Sequence, residues 1–230
     1  MLRRYRHIIW DWNGTLLDDV DLCIDITNGM LSRHGLPRMD RERYLTIFGF
    51  PVRDYYAQLG FDTSDESFHR LSVEFIGAYD ARRLEARLHP GTVEVLDTVL
   101  AGGATQSILS AYRHETLCEI VDHFGLTSKF VRLSGLDNIY AASKAALGRD
   151  ALARLGVAPS EVLMVGDTLH DFEVAVELGV DCVLVSHGHH PLDRLSRSCD
   201  RVFADLHELR VALTAGLSAA PAQTKLSPIR

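Results

Sequence analysis

The sequence predicts an α/β fold in which a parallel sheet carries a second, all-helical module. From residue 89 onward, short apolar runs alternate with helical patterns, as expected for parallel strands joined by right-handed helical crossovers. Between about Leu17 and Leu88, no strand pattern occurs and the apolar residues recur at helical spacing. These two parts of the sequence are therefore expected to form different domains.

A chain of 230 residues is long enough for one sizeable core and a smaller second module. We expect residues 1–17 and 89–214 to form the α/β core and residues 18–88 to form an inserted helical domain. The Ala/Ser/Pro-rich tail, residues 215–230, is expected to be disordered.

The first element is a short apolar run at Ile8-Ile9-Trp10, which indicates a buried strand and ends at Asp11 before a glycine turn. The helical domain should then contain helices over residues 20–34, 43–48 and 52–59, and a longer one that begins at Ser64.

Beyond His89-Pro90-Gly91, helices and strands should alternate. The expected strands lie over residues 104–109, 129–134, 162–165, 182–185 and 202–203. The expected helices lie over residues 93–100, 117–124, 143–155, 172–178 and 206–213.

Composition limits the possible partners and compartment. The formal net charge of −7 argues against general nucleic-acid binding, which needs a basic footprint. No apolar run is long enough to cross a membrane. The four cysteines are widely spaced, so we expect reduced thiols and a cytoplasmic protein. They are Cys23, Cys118, Cys182 and Cys199.

Polar residues stand where the predicted strands end. Asp11 follows the first strand, Ser110 follows the strand over 104–109, and Asp167 and Asp171 follow the strand over 162–165. In an open α/β sheet, chemistry collects at the carboxyl ends of the strands. Carboxylates and phosphate oxygens are ligands that Mg²⁺ prefers. Lys144, which opens a predicted helix, would offset part of the negative charge and hold a phosphate oxygen.

Each of these residues also has a simpler interpretation. The segment from Asp11 to Gly14 could be an ordinary turn, Ser110 a strand-end cap, Lys144 a solvated residue and Asp171 a helix N-cap. Their joint order and spacing nevertheless favour one shared site.

Two segments carry a family resemblance: Asp11-Trp-Asn-Gly-Thr-Leu and Gly166-Asp-Thr-Leu-His-Asp171. Together with Ser110 and Lys144, they resemble the motifs of the haloacid dehalogenase superfamily of hydrolases. The helical insert and His89-Pro90-Gly91 resemble the phosphoglycolate-phosphatase-like branch with a helical cap. The resemblance implies a Rossmann-like, doubly wound core, a mobile cap domain and an aspartate nucleophile that forms an aspartyl-phosphate.

The resemblance also implies a role for each matching position. Asp11 would be the nucleophile, and Ser110 and Lys144 would hold the phosphoryl group. Mg²⁺ would be bound by the Asp11 carboxylate, the main-chain carbonyl of Asn13 and Asp167, with Asp171 supporting the metal site or Lys144. The residues expected to contact substrate are Gly14, Thr15, Ser110, Ala111 and Lys144. Apart from the resemblance, Arg53 of the predicted cap could meet substrate when the cap closes.

Asn13 departs from the family pattern. Phosphatases of this family usually have an aspartate two residues after the nucleophile, which acts as general acid and then general base. An asparagine cannot exchange a proton in that way. A missing acid/base is worth roughly 10²–10⁴ in rate, so a slow phosphatase is one expectation and a different reaction is another.

Other branches of the family also lack that aspartate. Metal-free dehalogenases do, but the segment Gly166-Asp167-Thr168 is typical of a metal site. Phosphonatases rely on a lysine in the cap, and residues 18–88 contain none. A catalytically silent relative that binds phosphorylated ligands or a protein partner stays open, supported only by Asn13.

One further motif is the histidine run His187-Gly188-His189-His190, which follows a predicted strand. These side chains could form a transition-metal cluster, but ligand type and spacing alone specify metals poorly. We expect a solvated loop near the rim of the site.

Together with the family resemblance, the sequence predicts a Mg²⁺-dependent hydrolase of small phosphorylated metabolites.

Overall fold

A computed structural model of the protein describes residues 4–136 and 144–215. Eight β-strands are found within these residues: β1 (His7–Trp10), β2 (Leu17–Asp18), β3 (Arg87–Leu88), β4 (Thr105–Arg113), β5 (Arg132–Leu136), β6 (Val162–Gly166), β7 (Asp181–Val185) and β8 (Val202–Phe203). The α-helices in the same residues are α1 (Val20–Arg33), α2 (Arg41–Ile47), α3 (Val52–Leu59), α4 (Asp65–Arg82), α5 (Thr92–Ala101), α6 (His114–His123), α7 (Lys144–Leu155), α8 (Leu169–Leu178), α9 (Leu192–Leu195) and α10 (Leu206–Ala215).

Six of the strands form one sheet in the order β5-β4-β1-β6-β7-β8, and all of its pairings are parallel. From β1, the chain first adds strands on one side and then returns to add β6, β7 and β8 on the other. The prediction of a doubly wound, Rossmann-like α/β core is therefore confirmed. The strand order reverses between β1 and β6, and open sheets of this kind bind ligands at that switch point.

Both faces of the sheet are buried, and each strand contributes side chains to both faces because successive side chains point in opposite directions. Ile8 and Trp10 of β1 pack on one face, and Ile9 between them packs on the other. Helices α5, α6 and α10 cover the first face, and α7 and α8 cover the second. The core of the first face continues without a break into α1–α4, which we call the cap helices.

The cap helices lie between two very short strands. Leu17 of β2 pairs with Leu88 of β3, and Asp18 pairs with Arg87, in an antiparallel ribbon. This ribbon was not expected from the sequence, because two residues are too few to show a strand period. It brings the two ends of residues 18–88, which we call the cap segment, side by side.

Several element ends also differ from the sequence expectations. Strand β4 continues past Ser110 to Arg113, with a register shift after Leu109. Helix α9 was not expected. Helix α10 extends to Ala215, the first residue of the expected disordered tail, and the rest of that tail lies outside the described residues. Among the described residues, no helix is both long and apolar enough to cross a membrane.

Candidate active site

The switch point of the sheet is occupied by a buried group of charged side chains, Asp11, Lys144, Asp167 and Asp171, which we call the acidic cluster. Asp11 directly follows β1, and its backbone N–H donates to the carbonyl oxygen of Val165 in β6 at 2.8 Å. Asp167 directly follows β6. Parallel pairing of β1 with β6 thus places the two carboxylates at the same edge of the sheet.

Lys144 is the only cation of the acidic cluster, at the start of α7, and its side chain is 3% exposed. Its ammonium group donates to Asp11 Oδ1 and, at 2.6 Å, to Asp171 Oδ1. Burial opposes this charge, but the two carboxylates outweigh burial and raise the pKa of Lys144. The lysine is therefore held as a cation between the two aspartates.

Thr15 joins Asp11 to Asp167. Its hydroxyl donates to Asp167 Oδ1 at 2.9 Å and lies 3.4 Å from Asp11 Oδ2. Asp167 Oδ2 accepts the backbone N–H of His189 at 2.7 Å. Two glycines make this packing possible, because a Cβ atom at Gly14 or Gly188 would overlap the Asp167 carboxylate.

Asp171 has a local role as well as a place in the acidic cluster. It is the third residue of α8 and forms a capping box with Thr168, the N-cap. Its Oδ2 accepts the Thr168 backbone N–H at 3.0 Å and the Thr168 hydroxyl at 2.8 Å. Its other oxygen remains with Lys144, so helix capping fixes the carboxylate that positions the lysine.

The acidic cluster carries three carboxylates against one ammonium group. Burial raises the pKa of Asp11 to about 7, with Lys144 opposing the shift and the other two aspartates adding to it. Burial likewise raises the pKa of Asp167 to about 6. The pKa of Asp171 is lowered despite its burial, because Lys144 and Thr168 stabilise the carboxylate.

The acidic cluster has the ligand chemistry to hold a metal ion. One carboxylate oxygen from each of Asp11, Asp167 and Asp171 lies within 4.8 Å of the other two. A divalent cation would offset the excess negative charge that raises the pKa values of Asp11 and Asp167. All-oxygen carboxylate ligands suit Mg²⁺.

Two of the remaining predicted site residues, Ser110 and Ala111, lie at the same edge of the sheet as Asp11, because Ile108, two residues before Ser110, pairs with Trp10. Ser110 is buried, and its hydroxyl oxygen accepts the backbone N–H of Tyr112 at 3.1 Å.

Arg53 is not brought to the acidic cluster in this structure. Its guanidinium donates to Asp65 Oδ1 at 2.7 Å and to the Thr63 carbonyl oxygen at 3.2 Å, and it lies over the ring of Phe68. All of these partners belong to the cap segment.

The side chain of Asn13 faces the cap helices. Its amide donates to Asp19 Oδ2 and to the Tyr79 hydroxyl, each at 2.8 Å, and Tyr79 in turn donates to Asp19 at 2.6 Å. Asp19 Oδ1 accepts the backbone N–H of Gly14 at 2.9 Å and lies 3.4 Å from His189 Nε2. We call Asn13, Asp19, Tyr79 and His189 the cap-side cluster.

The charges of the cap-side cluster balance. Burial would raise the pKa of Asp19, but His189, Tyr79 and Asn13 outweigh burial and lower it. Burial would lower the pKa of His189, but Asp19 outweighs burial and raises it to about 9. The two residues thus form a buried ion pair.

No sequence pattern indicated a role for Asp19 or Tyr79, and His189 was singled out only as part of the histidine run. Asp19 looks like a helix N-cap, and Tyr79 looks like part of an apolar helix stripe. The histidine run was expected in a solvated loop, but His189 and His190 are buried. The signal available was the spacing of Asp19 from Asn13, six residues later and directly before a helix.

The three histidines of the run also point in different directions. His187 stacks on His89 with ring centroids 3.7 Å apart, and its Nε2 lies 3.1 Å from the Thr15 carbonyl oxygen. His190 Nδ1 accepts the backbone N–H of Leu169, and His190 Nε2 lies 3.0 Å from the Phe48 carbonyl oxygen. The run is therefore not a single metal-binding cluster.

The strand order defines a doubly wound α/β protein. The acidic cluster at its switch point, with Asp171 fixed by the capping box of α8, defines a buried carboxylate–lysine site. The model of the haloacid dehalogenase-like hydrolase family matches residues 8–185. The chain belongs to this family, and the resemblance seen in its sequence is confirmed.

Three curated relatives illustrate the range of the family. A 5'-nucleotidase of Pseudomonas aeruginosa is 29% identical and covers 91% of this chain and 96% of its own length. A phosphoglycolate phosphatase of Caulobacter vibrioides is 29% identical and covers 79% of each chain. The tyrosine-protein kinase PtkA of Mycobacterium tuberculosis is 27% identical over 90% of this chain and 72% of its own. The solved PtkA structure superposes with a TM-score of 0.76 at 25% identity, covering 91% of this chain and 98% of that one.

Proposed function

We propose that this protein is a Mg²⁺-dependent phosphatase of small phosphorylated metabolites in which Asp11 is the nucleophile. The observation that carries the proposal is the acidic cluster at the switch point. It combines a carboxylate at the end of β1, a fixed lysine and an excess of negative charge that a divalent cation would offset. Two of the relatives bear the names of phosphate monoesterases, which supports the same class of reaction.

The first step would be attack by an Asp11 carboxylate oxygen on the phosphorus of the substrate. The bond between phosphorus and the ester oxygen breaks, the leaving group departs as an alkoxide or aryloxide with the electron pair and takes a proton from water, and an aspartyl-phosphate forms on Asp11. Lys144 would hold the phosphoryl oxygens as a point charge, and the Ser110 hydroxyl would donate to them. Mg²⁺, held by Asp11, Asp167, Asp171 and the Asn13 carbonyl, would neutralise phosphoryl charge.

The second step would be attack by water on the aspartyl-phosphate, which releases inorganic phosphate and regenerates Asp11. Asn13 cannot supply or accept a proton in either step, and its amide is engaged with Asp19 and Tyr79. The leaving group must therefore depart with little protonation. Aryl and acyl phosphates should react much faster than alkyl phosphates, and water attack should limit their turnover.

The test is phosphate release from a panel of aryl, acyl and alkyl phosphates, with Mg²⁺ and with excess chelator. Asp11→Asn should release no phosphate, whereas Asp18→Asn should behave like the parent, because Asp18 is exposed on β2. Equal release by Asp11→Asn and the parent would overturn the role of Asp11. Full activity of the parent in chelator would overturn the role of Mg²⁺.

Mass spectrometry of the quenched reaction separates the alternatives. An aspartyl-phosphate that forms and decays only when a hydroxyl acceptor is added would indicate a phosphotransferase rather than a phosphatase. No modification and no release with any substrate would favour the silent ligand-binding relative.

A further inference from the structure

A second group of potential metal ligands lies where the cap helices meet the core. Asp19 precedes α1, Cys23 lies one turn into α1, and His189 lies in the loop after β7. One ligand atom from each residue lies within 4.8 Å of the other two, and all three residues are buried. These are one oxygen, one sulfur and one nitrogen ligand, unlike the all-oxygen acidic cluster.

We propose that Asp19, Cys23 and His189 bind a divalent transition-metal ion of the Zn²⁺ type. Zn²⁺ bonds to oxygen, nitrogen and thiolate sulfur are about 2.0–2.3 Å long, so the edges of its tetrahedron are roughly 3.3–3.6 Å. Asp19 Oδ1 lies 3.4 Å from His189 Nε2, and Cys23 Sγ lies 3.7 Å from Asp19 Oδ2. These two distances, one to each carboxylate oxygen of Asp19, are close to the edge lengths of a zinc tetrahedron.

Asp19 is turned toward this group instead of capping its helix. It is the N-cap of α1, yet its side chain accepts no hydrogen bond from the N–H groups of that helix. A side-chain hydrogen bond at the N-cap normally stabilises the start of a helix. Forgoing it leaves both carboxylate oxygens directed at the loop of Asn13 and at His189 and Cys23.

Neighbouring hydroxyl groups orient two of the three ligands. The Tyr44 hydroxyl lies 2.8 Å from His189 Nδ1, which directs the other ring nitrogen, Nε2, at Asp19. The Tyr79 hydroxyl donates to Asp19 Oδ2 at 2.6 Å. Hydrogen bonds of this kind, made by partners outside the ligand set, fix ring and carboxylate orientation at protein metal sites.

Ligand type separates the new site from the acidic cluster. Carboxylate oxygens suit Mg²⁺, whereas a thiolate and an imidazole select ions such as Zn²⁺ and Co²⁺. Binding would displace the thiol proton of Cys23 and any proton on His189 Nε2 to solvent. Because Asp19 and Cys23 belong to the cap segment and His189 to the core, a bound ion would tie the cap helices to the core.

The proposal is tested with Co²⁺ as a spectroscopic probe and does not require phosphatase activity. Co²⁺ is titrated into the full-length protein in the presence of saturating Mg²⁺. A thiolate-to-Co²⁺ charge-transfer band should saturate at one equivalent, and Zn²⁺ should abolish it. Co²⁺ bound to the acidic cluster would give no such band, because that cluster has no sulfur ligand.

Two cysteine variants locate the band. Cys23→Ser should lose it, and Cys118→Ser should keep it. Cys118 is the matched control, because its Sγ lies 3.7 Å from His114 Nε2 in an exposed thiol–imidazole pair on α6. Loss of the band in Cys118→Ser and its retention in Cys23→Ser would overturn the proposal, as would the absence of a band in the parent.

A third variant guards against a folding artefact. Tyr44→Phe keeps all three ligands but removes the hydroxyl that orients His189, so Co²⁺ should bind about 10–100-fold more weakly with the band retained. Circular dichroism and the melting temperature of each metal-free variant show whether it is folded. Unchanged Co²⁺ affinity in Tyr44→Phe would show that His189 is not a ligand in this geometry and would overturn the proposed site.

Discussion

Two polar clusters adjoin the loop that follows β1, and they differ in charge. The acidic cluster has three carboxylates and one ammonium group, and the pKa values of Asp11 and Asp167 are raised by burial. The cap-side cluster has one carboxylate and one imidazolium, and each ion is favoured by the other against burial. The acidic cluster therefore has an excess of negative charge that a cation would offset, whereas the charges of the cap-side cluster balance within the protein when no metal ion is bound.

The comparison predicts the largest effect for Asp11→Asn. The variant should lose turnover completely, because an amide cannot act as the nucleophile. Its melting temperature should nevertheless equal or exceed that of the parent in metal-free buffer, because one of three crowded carboxylates is removed. Calorimetry beside the phosphate-release assay measures both. A variant that is inactive and strongly destabilised would mean that Asp11 is mainly structural.

Asp19→Asn should show the opposite balance. It leaves the His189 imidazolium buried without its anion, and breaking a buried ion pair costs about 3–5 kcal/mol. We expect a large fall in the denaturant midpoint of unfolding, with residual turnover of the folded protein. If stability is unchanged, then the ion pair contributes little, and the two clusters do not differ as their charges suggest.

Asn13→Asp should move activity and stability in opposite directions. A carboxylate at residue 13 could act as general acid and base, which should raise alkyl-phosphate turnover by about 10² or more. The same change replaces an amide donor by a second carboxylate beside Asp19, so unfolding should become easier by about 1–3 kcal/mol.

The double variant Asn13→Asp with Asp19→Asn restores a donor–acceptor pair and should recover part of the lost stability. Peptide mass analysis of the parent is a necessary control, because an Asn-Gly pair is prone to deamidation. No gain on any phosphate ester would show that residue 13 is not a missing acid/base.

The smallest effect concerns the dependence of stability on pH without metal. Raised pKa values mean that folded Asp11 and Asp167 bind more protons than the unfolded chain between about pH 4 and 7, so their contribution to stability falls as the pH rises through that range. His189 contributes stability that is complete below its ordinary pKa and is lost as the pH rises through about 9. The cap-side cluster therefore adds little slope at about pH 5, between the ordinary pKa values of its two ions.

Histidines with lowered pKa values give the opposite slope, but they are common to every variant. They are His7, His89, His187 and His190. The informative quantity is thus the difference in melting temperature between Asp11→Asn and the parent, which should grow as the pH rises from about 4 to 7. A difference that is constant over this interval would contradict the raised pKa of Asp11.

The sequence was informative where local pattern and topology suffice. Apolar runs identified the strands, and the strand-end rule alone placed Asp11, Asp167 and Asp171 at one edge of the sheet, because parallel strands share that edge. The haloacid dehalogenase-like assignment then followed from the same residues. The end of β4 was missed, because the strand continues through a register shift that no local pattern marks.

The cap-side cluster could not be predicted, because its contacts join distant parts of the chain. Asn13 meets Tyr79 and Asp19 meets His189 only after the cap helices pack on the core. Arg53 was expected at the substrate from its residue type and position in the cap, whereas a local ion pair with Asp65 holds it elsewhere in this structure. Side-chain direction on a helix depends on such tertiary partners, and periodicity does not report them.

The ribbon of β2 and β3 has a consequence for how such a protein can change over evolution. Leu17 and Leu88 are paired neighbours in the ribbon, so the segment between them leaves the core and re-enters it at one point. Insertions whose ends lie close together disturb the host fold little. The cap segment could therefore be shortened, enlarged or exchanged between homologues while the sheet and the acidic cluster remain intact. The range of substrates could then diversify without any change in the core.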